Sequence, residues 1–453
     1  MASEQKFTLW ALAWPIFIEM FLQFLLGTAD TLMVSRISDD AVAVVGISNQ
    51  LFSAVTILFM TVASGAGVLI AQKIGARKPE DARTIAIMAV KVSVWIGAAL
   101  SAVLYFGAAP IAVLLQLPEQ LHELAATYIS IVGGGMVFTA AMAALSTAIR
   151  STGNTRSPMF IALGMNVVHV VLNYAFIYGA FGFPQWGLTG VALSTLVSRL
   201  AATAMLLLLF IRAFEQRIEW RDIRLFDKPL FGEIIRIGWP MGVNMSSWVL
   251  SQLVIFSFVA MLGALELAAR TYMNTLESFC FILGSSVAMA VQIQIAHLYG
   301  AGRHQEAYRS AFQAIWIGLA LVILNVLLLY FFGSRVLYLF TSDTQIVTLG
   351  ASLLALNLLL QPLKMVNMVT TNALTAVGDI RFMTVVGMLS LWAISVGCSY
   401  FLGIQLQWGL AGVYIAMIAD EFIRGAILLP RWMSRKYLPG ALTGWRKSPA
   451  QHI

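Results

Sequence analysis

Trp14-Pro15-Ile16-Phe17-Ile18-Glu19-Met20-Phe21-Leu22-Gln23-Phe24-Leu25-Leu26-Gly27-Thr28-Ala29-Asp30-Thr31 is a long apolar run with three strongly polar side chains, Glu19, Gln23 and Asp30. A helix turns about 100° per residue, so these side chains fall within roughly 40° of one another and form one stripe. An unpartnered carboxylate in hydrocarbon costs at least about 2.5 kcal/mol. We therefore expect the stripe to face a bundle interior or a water-filled cavity, with structural bonds to neighbouring helices as the alternative.

Pro15 lies one turn into this helix and has no backbone N–H to donate. A proline at such a position removes a helical hydrogen bond and crowds the preceding turn. We therefore expect a kink or a local unwinding of the helix at Pro15.

Apolar runs of twenty or more residues recur along the whole chain of 453 residues, which is 60% hydrophobic and 11% charged. This composition predicts an all-α integral membrane protein. The first run has no small-residue cleavage site, so we expect a retained helix rather than a removed signal. The twelve candidate spans are 8–34, 43–72, 86–115, 124–149, 158–182, 187–213, 233–262, 268–298, 308–333, 346–375, 382–405 and 408–432.

Basic residues are distributed unequally between the two sides of this topology. Twenty-one Lys and Arg lie on one side, and Arg36, Arg270 and Arg335 lie in loops on the other. The positive-inside rule then predicts a multi-pass protein with both termini in the cytoplasm. The net charge of +7 is loop charge beside anionic lipid, so it implies no nucleic-acid partner. Lys91 and Arg199 fall inside spans and are given no role, because their long stems can snorkel to an interface.

Two cysteines, Cys280 and Cys398, fall inside predicted spans. They are too few and too buried for a disulfide framework or a metal site. We expect no metal and no cofactor.

The chain repeats itself at a distance of 225 residues. A later motif, Trp186-Gly187-Leu188, recurs 222 residues on as Trp408-Gly409-Leu410, so the second copy is three residues shorter between its fourth and sixth helices. The pairs at a distance of 225 include Trp14-Pro15 with Trp239-Pro240, Asn49 with Asn274, and Gly75-Ala76 with Gly300-Ala301.

This repeat predicts two pseudo-symmetric six-helix bundles, 1–212 and 234–453, the second with a short cytoplasmic tail. A charged cytoplasmic connector, 213–233, would join them. Each copy has an even number of spans, so the copies are parallel, an arrangement typical of secondary transporters with binding sites near mid-membrane.

Polar residues inside the other spans extend the candidate site. Asn166, His169 and Asn173 are spaced three and four apart in the fifth span and share one face. The second half lacks the acidic stripe, and its deep charges are Glu277 and Lys364, which are either functional or partners of each other. Asp420 and Arg424, four apart, are expected to pair. The residues expected to line a substrate cavity are Gln23, Asn49, Asn166, Asn274 and Glu277.

With these motifs in place, the sequence resembles the multidrug and toxic compound extrusion (MATE) family over essentially its whole length, and most closely its DinF-like branch. The resemblance implies a MATE-like fold of twelve helices and associates an Asp at the position of Asp30 with proton coupling. The motifs that carry it are Trp14-Pro15, Gly27-Thr28-Ala29-Asp30-Thr31, Ala43-x-x-Gly46-x-x-Asn49, Arg150-x-x-Gly153-Asn154-x-Arg156, and Asn166 through Asn173 followed by Gly187-x-x-Gly190.

The chain departs from the family pattern at two positions. Many relatives have an Asp where it has Asn173 and an Asn where it has His169. The expected proton- or cation-coupling set is therefore Asp30, Glu19, His169 and Asn173. The sodium-coupled NorM-like branch is marked by acidic residues near the positions of Trp248 and Lys364, so a sodium site of that type is not expected in the second half.

The resemblance implies a multidrug efflux antiporter of the bacterial inner membrane and not an enzyme. We expect it to act as a monomer in the bilayer and to export lipophilic or cationic small molecules in exchange for protons, with sodium coupling as one alternative. A lipid-linked saccharide flippase, the second alternative, needs cationic residues along the central cavity, whereas the stripe here is acidic. A membrane-embedded enzyme needs a convergent acid/base or metal set, which Glu277 and His169 in opposite halves do not provide. The duplicated bundles also disfavour a channel.

Overall fold

The computed structural model describes residues 8–214, 218, 222 and 226–435 of the protein. All regular secondary structure in this described part is helical. In the first half the helices are α1 Leu9–Val34, α2 Asp39–Gly75, α3 Pro79–Phe106, α4 Ala108–Leu114, α5 His122–Gly134, α6 Met136–Ser151, α7 Arg156–Tyr178 and α8 Gly187–Phe210. In the second half they are α9 Lys228–Leu262, α10 Ala264–Gly300, α11 His304–Leu337, α12 Thr344–Ala376, α13 Ile380–Ser390 and α14 Gly409–Met433.

The prediction of an all-helical membrane protein is confirmed. Eleven helical segments in the described part of the chain are long and apolar enough to cross a membrane. Helix α14 covers the twelfth predicted span and carries four charged residues, Asp420, Glu421, Arg424 and Arg431.

Three spans depart from a plain α-helix. The fourth is broken at Gly135, the last residue of a Gly133-Gly134-Gly135 run, where α5 ends and α6 begins. Glycine favours such a break because it loses more backbone freedom in a helix than any other residue. The third span ends in the same way, with Gly107 between α3 and α4. The eleventh continues from α13 into π-helical turns over Leu391–Val396 and Ser399–Gln405.

Helix α1 stays helical through Pro15, so the local unwinding expected there is not seen. Thr8 caps its start by accepting a hydrogen bond of 3.4 Å from the Ala11 amide. A bend at Pro15 stays a prediction.

Packing divides the chain into two units. The first consists of Met1–Ser246 with Ala296–Arg303, and the second of Ser247–Ile295 with His304–Ile453. The domain bounds expected from the sequence, 1–212 and 234–453, stay a prediction. Parts of the expected connector (215–217, 219–221 and 223–225) and the expected tail (436–453) lie outside the described residues.

Each unit has its own apolar core. In the first unit, buried residues of α2, α5 and α8 pack together, among them Phe52, Tyr128 and Val191. In the second unit, Met273 and Leu353 pack with residues of α14. Burial of such side chains excludes lipid and fixes the positions of the polar groups between the helices.

The C-terminal ends of α2 and α10 cross very closely within the first unit. A Cβ atom built on Gly75 would lie 2.0 Å from the carbonyl oxygen of His297, and one on Gly300 would lie 1.9 Å from that of Gln72. Gly75 and Gly300 are 225 residues apart, as are Gln72 and His297. The crossing is therefore reciprocal, because each copy of the repeat presents its glycine to the same carbonyl of the other copy.

Candidate functional site

The Asp30 carboxylate forms the centre of a polar cluster in the first unit. Its Oδ1 accepts a hydrogen bond of 2.6 Å from Nδ2 of Asn173 and lies 3.1 Å from Nε2 of His169. Both partners lie on α7, one turn apart, and are buried, whereas the Asp30 side chain is 19% exposed. The structure therefore brings together three of the four residues expected to couple to an ion, while their role stays a prediction.

His169 links the carboxylate to two further groups. Its Nε2 lies 3.0 Å from Nδ2 of Asn173, and its Nδ1 lies 3.5 Å from Oγ of Ser198 on α8. A neutral imidazole has one donor and one acceptor nitrogen, so a proton on Nε2 donates to Asp30 and leaves Nδ1 as the acceptor for Ser198. In this tautomer Nε2 and Nδ2 of Asn173 are both donors and do not bond each other. The carboxylate and the imidazole can together hold zero, one or two protons.

Asn166 continues this polar line along α7. Its side chain is 6% exposed, and among the described residues neither Nδ2 nor Oδ1 has a hydrogen-bond partner. The same holds for Oδ1 of Asn173. Buried amide groups are nearly always bonded, so these three atoms are open to water or to a ligand.

Arg199 and Tyr128 are two further members of this region that sequence reasoning missed. Arg199 on α8 donates from Nη1 to Oγ1 of Thr139 at 3.0 Å and lies 3.9 Å from Sδ of Met136. Tyr128 on α5 is buried, and Arg199 directly follows Ser198, whose Oγ lies 3.5 Å from Nδ1 of His169. The available signal was an arginine in the middle of a 24-residue apolar helix.

Glu19 lies in a different contact from Asp30. Its Oε1 accepts a hydrogen bond of 3.0 Å from Nη2 of Arg150, and the same guanidinium donates to Ser146. Gln23, between the two acidic residues, is exposed. The three side chains of the predicted stripe therefore do not meet in one site.

The second unit contains a fully buried network around Glu277. Its Oε2 accepts from Nη1 of Arg270 at 3.0 Å, and its Oε1 accepts from Oη of Tyr414 at 2.6 Å and from Nδ2 of Asn357 at 3.1 Å. Arg270 also donates to Tyr414 at 2.8 Å. A cavity of about 10 Å³, close to the volume that one water molecule needs, lies beside Glu277 and Asn357.

This network corrects two expectations. Arg270 was placed in an outer loop, but it lies inside α10 and is only 2% exposed. The sequence also left Lys364 open as the partner of Glu277, whereas the direct partners of that carboxylate are Arg270, Tyr414 and Asn357. A pair this deep is compatible with a membrane interior only when every charge is bonded.

The remaining predicted residues are distributed as follows. Asn49 and Asn274, equivalent in the repeat, are both exposed. Arg424 pairs with Asp420 as predicted, and it also lies 3.2 Å from Glu421. Among the described residues, no group of three or more His, Cys, Asp or Glu is arranged to hold a metal ion.

A duplicated, all-helical membrane fold with a half-buried carboxylate bonded to a buried imidazole and a buried amide is typical of multi-pass secondary transporters. The MatE family model matches the chain twice, over residues 15–175 and 240–401. The chain belongs to the MatE family, and the recognition of that family from the sequence is confirmed. The assignment to the DinF-like branch stays a prediction.

Individual proteins are similar over nearly the full length. An uncharacterized transporter, YisQ, of Bacillus subtilis (strain 168) is 31% identical over 96% of both chains. A probable multidrug resistance protein, NorM, of Thermotoga maritima is 26% identical over 94% of this chain and 92% of its own. The outward-facing structure of a multidrug resistance MATE family transporter has a TM-score of 0.85 at 21% identity, covering 94% of this chain and 95% of the other. This structure supports the fold.

Proposed function

We propose that the protein is a secondary active multidrug efflux antiporter of the bacterial inner membrane, with both termini cytoplasmic. In this proposal it acts as a monomer and exports lipophilic or cationic compounds in exchange for protons by alternating access. Membership of the MatE family and the multidrug resistance names of several relatives support the substrate class. The observation that carries the proton coupling is the contact of Asp30 with His169 and Asn173.

The cluster suits proton exchange because its hydrogen bonds depend on the charge of Asp30. An ionised carboxylate accepts from Asn173 and from a protonated Nε2 of His169. A proton taken up on Asp30 from the outer side removes an acceptor lone pair and weakens both bonds. Helix α1 is then less firmly held against α7, and we propose that this difference drives the change that expels the substrate.

The driving force depends on the charge of the exported compound. One charge that crosses 100 mV gains about 2.3 kcal/mol, which supports roughly a forty-fold gradient. Exchange of one proton for one monovalent cation moves no net charge, so only the pH difference drives it. A neutral substrate, or a second proton on His169, uses the membrane voltage as well.

Sodium coupling and saccharide flipping are the two competing functions. Asp30 is contacted by an amide donor and an imidazole rather than by a shell of oxygen ligands, which favours a proton over Na⁺. A flippase for an anionic lipid-linked saccharide needs several cations along its cavity. The basic side chains Arg150 and Arg270 are each paired with a glutamate.

The test is dye efflux from proteoliposomes that contain the full-length protein, with pH and sodium gradients imposed separately and ethidium as the probe. Asp30→Asn should lower the rate of pH-driven ethidium efflux at least about tenfold. Asp40→Asn, the same change at an exposed position at the start of α2, is the matched control and should retain it. Full pH-driven efflux by Asp30→Asn would disprove the proposal. Efflux driven by a sodium gradient alone would show that Na⁺, and not the proton, is the coupling ion.

A further inference from the structure

Two buried carboxylates of α14 share one basic side chain. Asp420 is 2% exposed and Glu421 is 8% exposed, and both lie at the middle of this 25-residue helix. Nη2 of Arg424, one turn further on, contacts Oδ2 of Asp420 and lies 3.2 Å from Oε1 of Glu421. One guanidinium balances one carboxylate, so the three side chains carry one uncompensated negative charge when both carboxylates are ionised.

No second cation among the described residues reaches this pair. The other basic side chains on the helices next to it are Lys364 on α12, Arg381 on α13 and Arg431 at the end of α14. Arg431 pairs with Asp379 at 2.8 Å. Between described residues, neither Lys364 nor Arg381 forms an ion pair within 4.0 Å.

The remaining titratable groups near this part of α14 do not contact the pair. Tyr414 is bonded to Glu277 and Arg270 of α10. Tyr400, in the π-helical turns, packs its ring against another aromatic ring, and Cys398 beside it is a free thiol. An uncompensated charge inside a membrane bundle is costly, so the two carboxylates require one more cation.

Ser390 on α13 gives Asp420 a geometry in which it can gain and lose a proton. The serine hydroxyl donates to Oδ1 of Asp420 and also lies 3.4 Å from the backbone carbonyl oxygen of Asp420. When the carboxylate is ionised, the hydroxyl donates to Oδ1. When Oδ1 carries a proton, it donates to the hydroxyl oxygen, and the hydroxyl hydrogen turns to the carbonyl. Every polar atom of this contact keeps a partner in both states.

Asn367 on α12 provides a place for water beside the pair. Its Nδ2 donates to Oε2 of Glu421 at 2.7 Å and to the backbone oxygen of the same residue at 2.6 Å. The Asn367 side chain is 3% exposed, and its Oδ1 has no hydrogen-bond partner among the described residues. Buried amide oxygens are nearly always bonded, so this atom is open to a water molecule that can carry a proton.

A proton suits this cluster better than a metal ion. Each of the four carboxylate oxygens already faces a donor of the protein, from Ser390, Arg424 or Asn367. A metal ion needs several oxygen ligands, and here it would have to displace those donors. A proton needs only one lone pair of one oxygen.

We propose that Asp420 and Glu421 form a second proton site, at which one proton binds to Oδ1 of Asp420 and is exchanged in each transport cycle. This inference rests on the proposed proton exchange and concerns the number of protons. The proton forms an O–H bond at Oδ1 when the cluster is open to the outer side, and it leaves to water on the cytoplasmic side. With one proton at Asp30 and one at Asp420, export of a monovalent cation moves one net charge inward, so the membrane voltage drives it.

The experiment measures ethidium accumulation in proteoliposomes of the full-length protein, with a potassium diffusion potential and equal pH on both sides. Liposomes without protein give the passive leak. In the wild type, one net charge per cycle at 100 mV should hold ethidium at roughly a forty-fold ratio, on the side to which its own charge would not drive it. Asp420→Asn makes the exchange electroneutral, so this ratio should fall to about one while a pH difference still drives efflux.

Asp343→Asn is the matched control. Asp343 is exposed and caps the start of α12, and asparagine caps a helix equally well. This variant should keep the wild-type ratio. A wild-type ratio in Asp420→Asn, or a ratio of about one in the wild type itself, would overturn the second proton site.

Glu421→Gln tests the same charge balance from the other carboxylate and replaces Asp420→Asn if that variant does not fold. It leaves Asp420 and Arg424 as a balanced pair that needs no proton, so it should also lose the response to voltage. An infrared measurement on purified protein gives a readout without transport. The carbonyl band of a protonated carboxyl that is lost in Asp420→Asn should also be lost in Glu421→Gln, and its persistence there would contradict the charge balance.

Failure of this inference is distinguishable from failure of the proposed function. If Asp30→Asn abolishes pH-driven efflux while Asp420→Asn accumulates ethidium as the wild type does, only the second site is wrong. If Asp30→Asn keeps pH-driven efflux, the proton exchange itself is wrong. Accumulation that requires a sodium gradient and is lost in Asp420→Asn would show that Na⁺ occupies the cluster, which would also overturn the inference.

Discussion

Nδ2 of Asn173 donates a hydrogen bond of 2.6 Å to Oδ1 of Asp30, so α7 holds α1 through an amide rather than through a second carboxylate. An amide keeps its donor at every pH, whereas a carboxylate in its place would have to carry a proton to make the same bond. The cluster therefore has a single titratable carboxylate, and the amide that donates to it does not change its charge with pH.

Asn173→Asp should change the pH dependence of efflux. Two carboxylates at this distance cannot both be ionised, so the pair would hold a proton at neutral pH, and half-maximal efflux should move upwards by at least about one pH unit. The swap Asp30→Asn with Asn173→Asp keeps one carboxylate and one amide in contact and should restore part of the wild-type profile. An unchanged profile in Asn173→Asp would refute the proposed role of this contact.

Glu19→Gln should reduce stability more than it alters proton coupling. It leaves the guanidinium of Arg150, which is 16% exposed, without its charged partner. Loss of one member of a largely buried ion pair lowers the free energy of unfolding by about 2 kcal/mol or more. Thermal unfolding in detergent tests this, with a double-mutant cycle that adds Arg150→Met. Asp81→Asn, which breaks the more exposed pair with Lys73, is the control and should cost less than about 1 kcal/mol.

Tyr414→Phe should destabilise the second unit. The hydroxyl bonds both Glu277 and Arg270, so its removal leaves two buried charged groups each short of one hydrogen bond. The expected loss is about 1–3 kcal/mol in the free energy of unfolding. Tyr338→Phe, at a side chain that is 54% exposed, is the matched control and should be near neutral. Equal melting temperatures for the two variants would contradict the structural role of the network.

Gly75→Ala should disturb the crossing of α2 and α10. The added methyl group would lie 2.0 Å from a backbone oxygen, which cannot move as a flexible side chain can. Overpacking of this kind costs about 1–3 kcal/mol or more. Gly46→Ala, in the same helix with no atom within 4 Å of the new methyl group, should be neutral or slightly stabilising. Thermal unfolding of both variants is the measurement, and a Gly75→Ala protein as stable as Gly46→Ala would show that the helices can separate there without cost.

The fold was predictable because lipid imposes long apolar helices, and every predicted span overlaps a helix of the structure. The contact between α7 and Asp30 was partly predictable, since spacings of three and four residues place His169 and Asn173 on one face. The residues with which the other charged side chains pair were not predictable. The local period of a helix says which side chains share a face but not which helix lies opposite, so the pairs of Glu19 with Arg150 and of Glu277 with Arg270 were missed.

The positions of two basic residues, Arg270 and Arg199, were not predicted correctly for a related reason. Counting charges by loop assumes that a basic residue near a span boundary lies outside the span. Arg270 is instead compensated inside the bundle by Glu277, seven residues further along α10. Arg199 was given no role because its stem is long enough to reach an interface, but its guanidinium donates a hydrogen bond to the hydroxyl of Thr139 on α6.

The crossing of α2 and α10 has the form of a contact between identical subunits. In a two-fold symmetric homodimer, a residue on one subunit touches a second residue on its twin, and the reverse contact follows by symmetry. Gly75 against His297 and Gly300 against Gln72 satisfy this relation within one chain. A homodimer of a single six-helix half would retain such a reciprocal contact after its gene was duplicated and fused. Because both copies of the repeat lie on one chain, two separate glycines, Gly75 and Gly300, are needed for a crossing that a single glycine position would supply in a homodimer.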